Sequence, residues 1–347
     1  MHLRGPMNVS QLAVYKLPDM LTSKRRSTDR GNARVDKHKK SATSANSSSS
    51  TAASATRPPA ALPPIVTTTT ATTTTTVTTT LETTPTEPLK SSSVAAASVW
   101  SRVAYYTSTA PAAASGFAFL ANLGDPQKSG TFDYAFGNSL GYVIGDGSQV
   151  AAESRPFTGT LETSEREIAV FTDKLCDGNC EYARSGTIAH YGWEGASKAF
   201  FIEFQMDHYD NYGNDQGMLS DVPAWWFLNA TVPRILQYGN DRRNIPCSCW
   251  STGCGEFDAF EILGRGEVRA KSTIHRPGNL EGGDSNYFLR PVGRIIKFAV
   301  VFHNWNITAR VLGADFDFSA SLTQAQIEDI LAYDPSDYSH LLFPIRD

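Results

Sequence analysis

The chain has 347 residues, with 31 Lys and Arg against 35 Asp and Glu, a net charge of −4 and 41% hydrophobic residues. That length holds one large or two ordinary domains. The mild acidity outside the first forty residues argues against a nucleic-acid partner, which calls for a basic surface, and no segment is apolar for long enough to span a membrane.

Residues 1–40 carry ten Lys or Arg against three Asp and read as a basic N-terminal arm, solvated or resting on an anionic surface. Tyr15 is its one aromatic residue, so no aromatic interleaving supports nucleic-acid binding. Lys16, Pro18 and Asp19 interrupt its mildly apolar part, so no signal-peptide core is evident. Residues 41–98 contain no aromatic and no Gly, and Ser and Thr dominate. Such a segment buries too little apolar surface to offset the entropy of ordering it. With Pro58, Pro59, Pro63, Pro64, Pro85 and Pro88 it reads as a disordered stalk, O-glycosylated or bare. Residues 99–347 are the expected folded domain, and a chain starting near residue 95 is expected to fold alone.

Short alternating segments recur through that domain: 167–172, 198–206, 224–229, 257–263, 294–303 and 307–312. Turn-forming residues separate them, at 207–217 and 278–286 among other places. The pattern means an all-β sandwich or jelly roll preceded by a disordered Ser/Thr-rich tail. One helix is expected near the end, where Thr323 and Gln326 have capping-box spacing and Ile327, Ile330 and Leu331 form an apolar stripe.

Five cysteines form two groups, Cys176 with Cys180 and Cys247, Cys249 and Cys254. The spacings differ from paired zinc knuckles, and disulfides with one thiol left over are the expected state; no metal and no cofactor is expected. Asn229-Ala230-Thr231 and Asn306-Ile307-Thr308 are N-glycosylation sequons. Sequons and cysteines together read as extracellular, so the chain is expected to be secreted, either through an unconventional N-terminus or, as the favoured expectation, from a natural start other than this Met.

The most informative segment is Gly255-Glu256-Phe257-Asp258-Ala259-Phe260-Glu261-Ile262-Leu263, three carboxylates in an apolar stretch. Residues two apart on a strand share a face, so Glu256 and Asp258 point together. Glu261 joins them only if a β-bulge at Ala259 or Phe260 absorbs one residue. Clustered acids raise a pKa among themselves. Retaining glycoside hydrolysis uses that arrangement, with one carboxylate as nucleophile and a protonated one about 5–5.5 Å away.

The spacing E-x-D-x-x-E resembles the motif of glycoside hydrolase family 16 in its bulged form. Asp221-Val222-Pro223-Ala224-Trp225-Trp226-Phe227-Leu228 resembles that family's preceding strand, and Lys271-Ser272-Thr273-Ile274-His275 the following one. A closer likeness rests on Trp100 to Tyr106, Phe132 to Leu140, Pro246 to Asp258 and Asp284 to Phe288. These resemble the C-terminal domain of the fungal target-of-SBF cell-wall proteins, a family regarded as endo-1,3-β-glucanase-like, over roughly residues 99–335. The resemblance does not extend to that family's glycine-rich N-terminal domain, so it implies no wall retention through such a domain. The resemblance implies a concanavalin/laminarinase-like sandwich, a β-1,3-glucan partner and a secreted or cell-wall location. It implies Glu256 as nucleophile, Glu261 as acid/base and Asp258 as the residue tuning protonation between them.

Aromatic rings stack on sugar faces, so Trp193, Trp225, Trp226, Trp250 and Trp305 are candidates. Alternation sends Trp225 and Trp226 to opposite faces. Substrate contacts are therefore expected from Trp226, from Trp250 in the cysteine loop and from His275. Three functions fit: a retaining endo-β-1,3-glucanase, a β-glucan transglycosylase using the same covalent intermediate, and a non-catalytic glucan-binding wall protein. The intact acid triad favours the enzymes, since a binder gains nothing from clustered carboxylates.

Overall fold

The computed structural model describes residues 1–18, 99–124, 127, 138–178, 180, 183–209, 220–235, 247, 254–275 and 287–345. The expected stalk at 41–98 lies outside them. By its contacts the chain divides into one unit of Met1–Leu21 with Ala95–Asp347 and another of Thr22–Val94.

The first unit is all-β. In chain order the described strands are β1 (His2–Arg4), β2 (Met7–Lys16), β3 (Val99–Thr107), β4 (Ala113–Ser115), β5 (Phe117–Ala121), β6 (Gly141–Tyr142), β7 (Thr160–Leu161), β8 (Glu167–Thr172) and β9 (Lys198–Gln205). They continue with β10 (Ala224–Leu228), β11 (Glu256–Glu261), β12 (Arg269–His275), β13 (Tyr287–Leu289), β14 (Ile296–His303), β15 (Asn306–Leu312), β16 (Ser321–Thr323) and β17 (His340–Pro344). One antiparallel sheet has the order β13-β12-β11-β10-β1-β8-β5-β6; we call it the site sheet. The back sheet runs β16-β3-β2-β9-β14-β15-β17, with β4 on β3 and β7 on β2.

The alternating segments read from sequence all appear as strands. Their inward residues, among them Trp225, Phe260, Phe298 and Ile202, form the core cluster between the sheets together with residues of other strands such as Phe119 and Leu12. A second cluster covers the other face of the back sheet, where Trp100, Phe201 and Val301 pack under Ile327 and Ile330 of the helix Gln324–Leu331. Thr323 caps that helix, with Gln326 completing the capping box.

The basic arm expected over residues 1–40 needs correction over its first sixteen residues. β1 pairs with β10 on one side and β8 on the other. β2 lies between β3 and β9. Charge counted over forty residues hid an alternation within the first sixteen: Leu3, Met7, Val9, Leu12 and Val14 are all at most 2% exposed. The chain crosses from one sheet to the other at Gly5, where a Cβ would stand 2.5 Å from the Leu161 and Thr163 carbonyl oxygens, so only Gly fits. Lys16 pairs with Ser101. The Ser/Thr-rich stretch therefore connects two neighbouring strands of one sheet instead of preceding the domain.

Fully burying one large aliphatic side chain contributes about 1.5–3 kcal/mol, and whole-domain stability is about 5–15 kcal/mol. Removing residues 1–18 strips five such side chains and opens a gap in each sheet, leaving β10, β8, β3 and β9 with unpaired edges. A chain beginning at residue 95 is therefore expected to give no cooperative thermal transition by circular dichroism. A chain in which a short turn replaces residues 19–97 should melt within a few degrees of the parent.

Candidate active site

Gly255, at φ +83°, turns the chain into β11 in a conformation that glycine adopts freely. On the β10 side Trp226 is opposite Asp258 and Trp225 opposite Phe260, which leaves Ala259 without a partner in the register. The register against β12 shifts over the same residues. This is the bulge the sequence called for, at the first of the two positions named. The Ala259 carbonyl at the bulge accepts a hydrogen bond from the Ser272 hydroxyl. Phe257, Ala259 and Phe260 join the core, and Glu256, Asp258 and Glu261 are left on the outer face of the site sheet.

Cross-strand partners share a face, so the register fixes the rows around the acids. Glu256 lies opposite Leu228 and His275. Asp258 lies opposite Trp226 and Thr273, and beyond Trp226 comes His2. Glu261 lies opposite Ala224 and Lys271, and beyond Ala224 comes Arg4.

Asp258, 3% exposed, is bonded to His275, whose Nε2 is 2.9 Å from Oδ2. Glu261, with its side chain 21% exposed, receives the Arg4 guanidinium at 3.3 Å. Burial, then the Asp258 charge, push the Glu261 pKa up to about 7, against the opposing pull of Arg4 and His275. Desolvation, and not the neighbouring acids alone, is thus the main cause of the raised value.

His2 and Arg4 are site-face residues that sequence reading missed; the one available signal was the His-Leu-Arg alternation. His2 stacks on Trp226 with ring centroids 5.1 Å apart, and its Nδ1 lies 3.3 Å from Glu167. The Arg4 guanidinium lies 5.3 Å from the Trp226 centroid. Trp226 is on the expected face, yet it is 2% exposed. Its ring supports His2 and Arg4 and is no open platform.

Trp225 is in the core, as alternation requires. Trp193 packs edge-on against Phe117 and Phe200. Trp305 is exposed at the β14–β15 turn of the back sheet. Trp250 lies outside the described residues. The four described cysteines pair as Cys176–Cys180 and Cys247–Cys254, the second bridge ending two residues before Glu256. A cavity of about 980 Å³ opens at the Glu256 end of β11, with Glu256, His275, Trp193, Lys198 and Arg234 on its wall. Asp258 and Glu261 lie outside that lining.

Asp221 anchors the start of β10. It sits at φ 53° and is 3% exposed. Burial acts to raise its pKa, but bonds from Arg290 and His208 overcome that and lower it. The Arg290 guanidinium also holds the carbonyls of Met206 and Asp207, tying the segments after β9 and β13 to the start of β10.

The raised Glu261 pKa has a consequence for stability. A folded-state pKa above the unfolded one contributes stability at pH below about 4.5, and that contribution disappears as pH rises through about 7. Glu261→Gln, which cannot ionise, is therefore expected to melt at a higher temperature than the parent above pH 7, by on the order of 2 kcal/mol of stability. The two should converge below pH 4.5, which melting curves across pH will check.

The family model of "Cell wall protein YJL171C/Tos1, C-terminal" matches residues 98–330. A protein of Saccharomyces cerevisiae called "Probable circularly permuted 1,3-beta-glucanase TOS1" is 37% identical over 236 residues, 67% of this chain and 49% of its own length. Its Candida albicans namesake is 35% identical over 71% of this chain and 52% of its own length. An Arthroderma benhamiae protein, "Probable circularly permuted 1,3-beta-glucanase", is 35% identical over 68% and 53%. The chain thus spans about half the length of the curated relatives it matches. No solved structure matches it. With the family model covering the site strands and most of both sheets, the chain belongs to the cell wall protein YJL171C/Tos1 C-terminal family.

Proposed function

We propose that this chain is a retaining endo-β-1,3-glucanase acting on cell-wall β-glucan outside the cell. The observation that carries the reading is the bulge at Ala259, which sets Glu256, Asp258 and Glu261 on one face, with the Glu261 pKa raised to about 7. A carboxylic acid still protonated near neutrality beside a second carboxylate is the division of labour that retaining hydrolysis needs. The names of the relatives support β-1,3-glucan as the substrate.

In the first step the Glu256 carboxylate bonds to the anomeric carbon as the glycosidic C–O bond breaks. Glu261 gives its proton to the departing oxygen. In the second step water bonds to the same carbon and the ester to Glu256 breaks. Glu261 takes the water's proton and returns to its starting state. Asp258, held by His275, keeps a charge beside Glu261 that favours the protonated form.

Incubating the protein with a linear β-1,3-glucan and weighing the products tests the reading and separates hydrolysis from transfer. Activity should fall as pH rises through about 7, when Glu261 loses its proton. Glu256→Gln should lose several orders of magnitude in kcat with the fold intact, and a fluorosugar inactivator should label Glu256. Glu261→Ala should cost little on a substrate with a good leaving group and much on glucan, and azide should rescue it as a β-linked product. An α-linked azide product would exchange the two roles, and full activity of Glu256→Gln would end the reading.

A further inference from the structure

Arg4 lies outside the stretch that the family model matches, and the reaction as written gives it no part. Its guanidinium is nonetheless held from three sides. Nε donates to the Val222 carbonyl at 2.8 Å, Nη2 reaches Glu261 Oε1 at 3.3 Å, and the plane lies over the Trp226 ring. Arg4 and Glu261 stand on β1 and β11 with β10 between them, roughly 9.6 Å apart at a strand spacing of about 4.8 Å. An arginine spans that gap only if the middle residue leaves room. The residue opposite both is Ala224, whose methyl group leaves the row open. The Val222 carbonyl is itself fixed: its own N–H donates to Ser164 at 2.9 Å, and its neighbour Asp221 is bonded to Arg290 and His208.

We propose that Arg4 is a positioning residue for the acid/base: it fixes the Glu261 carboxyl on the site face and supplies the positive charge beside which that group ionises once its proton has left. This rests on the functional reading above. Among the described residues, Glu261 shares its face with Asp258 and Glu256 on its own strand, Lys271 and His275 on β12, and Arg4 and His2 on β1. Glu167 lies beyond, opposite Arg4 on β8. His275 is bonded to Asp258, and Arg4 is bonded to Glu261 directly. When Glu261 gives up its proton, a carboxylate is left in a desolvated row beside Asp258. The bonded guanidinium stabilises that charge until water is activated.

Arg4→Met and Arg4→Lys in the full chain test this. The first readout is the Glu261 titration, followed by NMR of carboxyl-labelled glutamate and assigned by its loss in Glu261→Gln. An opposite charge at this distance shifts a carboxylate by about 1–3 units. Arg4→Met should therefore raise the midpoint by roughly one unit or more. Arg4→Lys should raise it less, since it keeps the charge and loses the fork. The alkaline limb of the activity profile should move up in step, and on a substrate with a good leaving group the breakdown of the intermediate should slow below the shifted midpoint. An unmoved Glu261 midpoint, with a uniform fall in kcat at every pH, would overturn the proposal and leave Arg4 as structural support. If Arg4→Met does not fold, Arg4→Lys carries the same titration. A parent protein that turns over no β-glucan defeats the functional reading separately, because the NMR titration decides the Arg4 pairing without activity.

Discussion

The site sheet is continuous only because three residues, His2 to Arg4, fill the gap between β10 and β8. Unpaired backbone groups in a sheet interior are costly, so β1 is an obligatory part of the ladder although it has only three residues. Its contribution reaches both sides of the sheet. Leu3 goes into the core, and His2 and Arg4 go onto the outer face, where they close over Trp226 and meet Glu261. The segment that secures the fold therefore also sets the charge beside the acids.

The second constraint is the pleat. Strict alternation would send Glu261 into the core and Ile262 to the outer face. One residue of slack at Ala259 reverses that, and the Ser272 hydroxyl bonds the Ala259 carbonyl. The result keeps the apolar residues 257, 259, 260 and 262 in the core cluster and three acids on one face. Bulges recur beside active sites for this reason: they aim a side chain without unpairing the strand.

Electrostatics on that face follow from desolvation. Glu261 is buried enough for its proton to be held up to about pH 7, and Asp258 reinforces this. Arg4 and His275 pull the other way, so the group is poised between its two states instead of being locked in either. A group that must give and then take a proton in one turnover needs that balance.

Much of this was legible in the amino-acid sequence. Alternation located β8, β9, β10, β11, β14 and β15, the Thr323 and Gln326 spacing located the helix, and the acid spacing required a bulge. These are local signals, carried by residues within a few positions of one another. The role of residues 1–16 was missed: charged surroundings hid their alternation and suggested a tail, and the pairing of β2 with β3, from Lys16 to Val99 along the chain, leaves no local mark. The Arg4–Glu261 pair spans 257 positions, and the covering of Trp226 depends on the same strand. Which residues alternate was determined by the sequence itself. Which strands lie side by side, and therefore which charge faces Glu261, was decided only by the tertiary structure, because pairing between distant segments depends on closing the whole sheet.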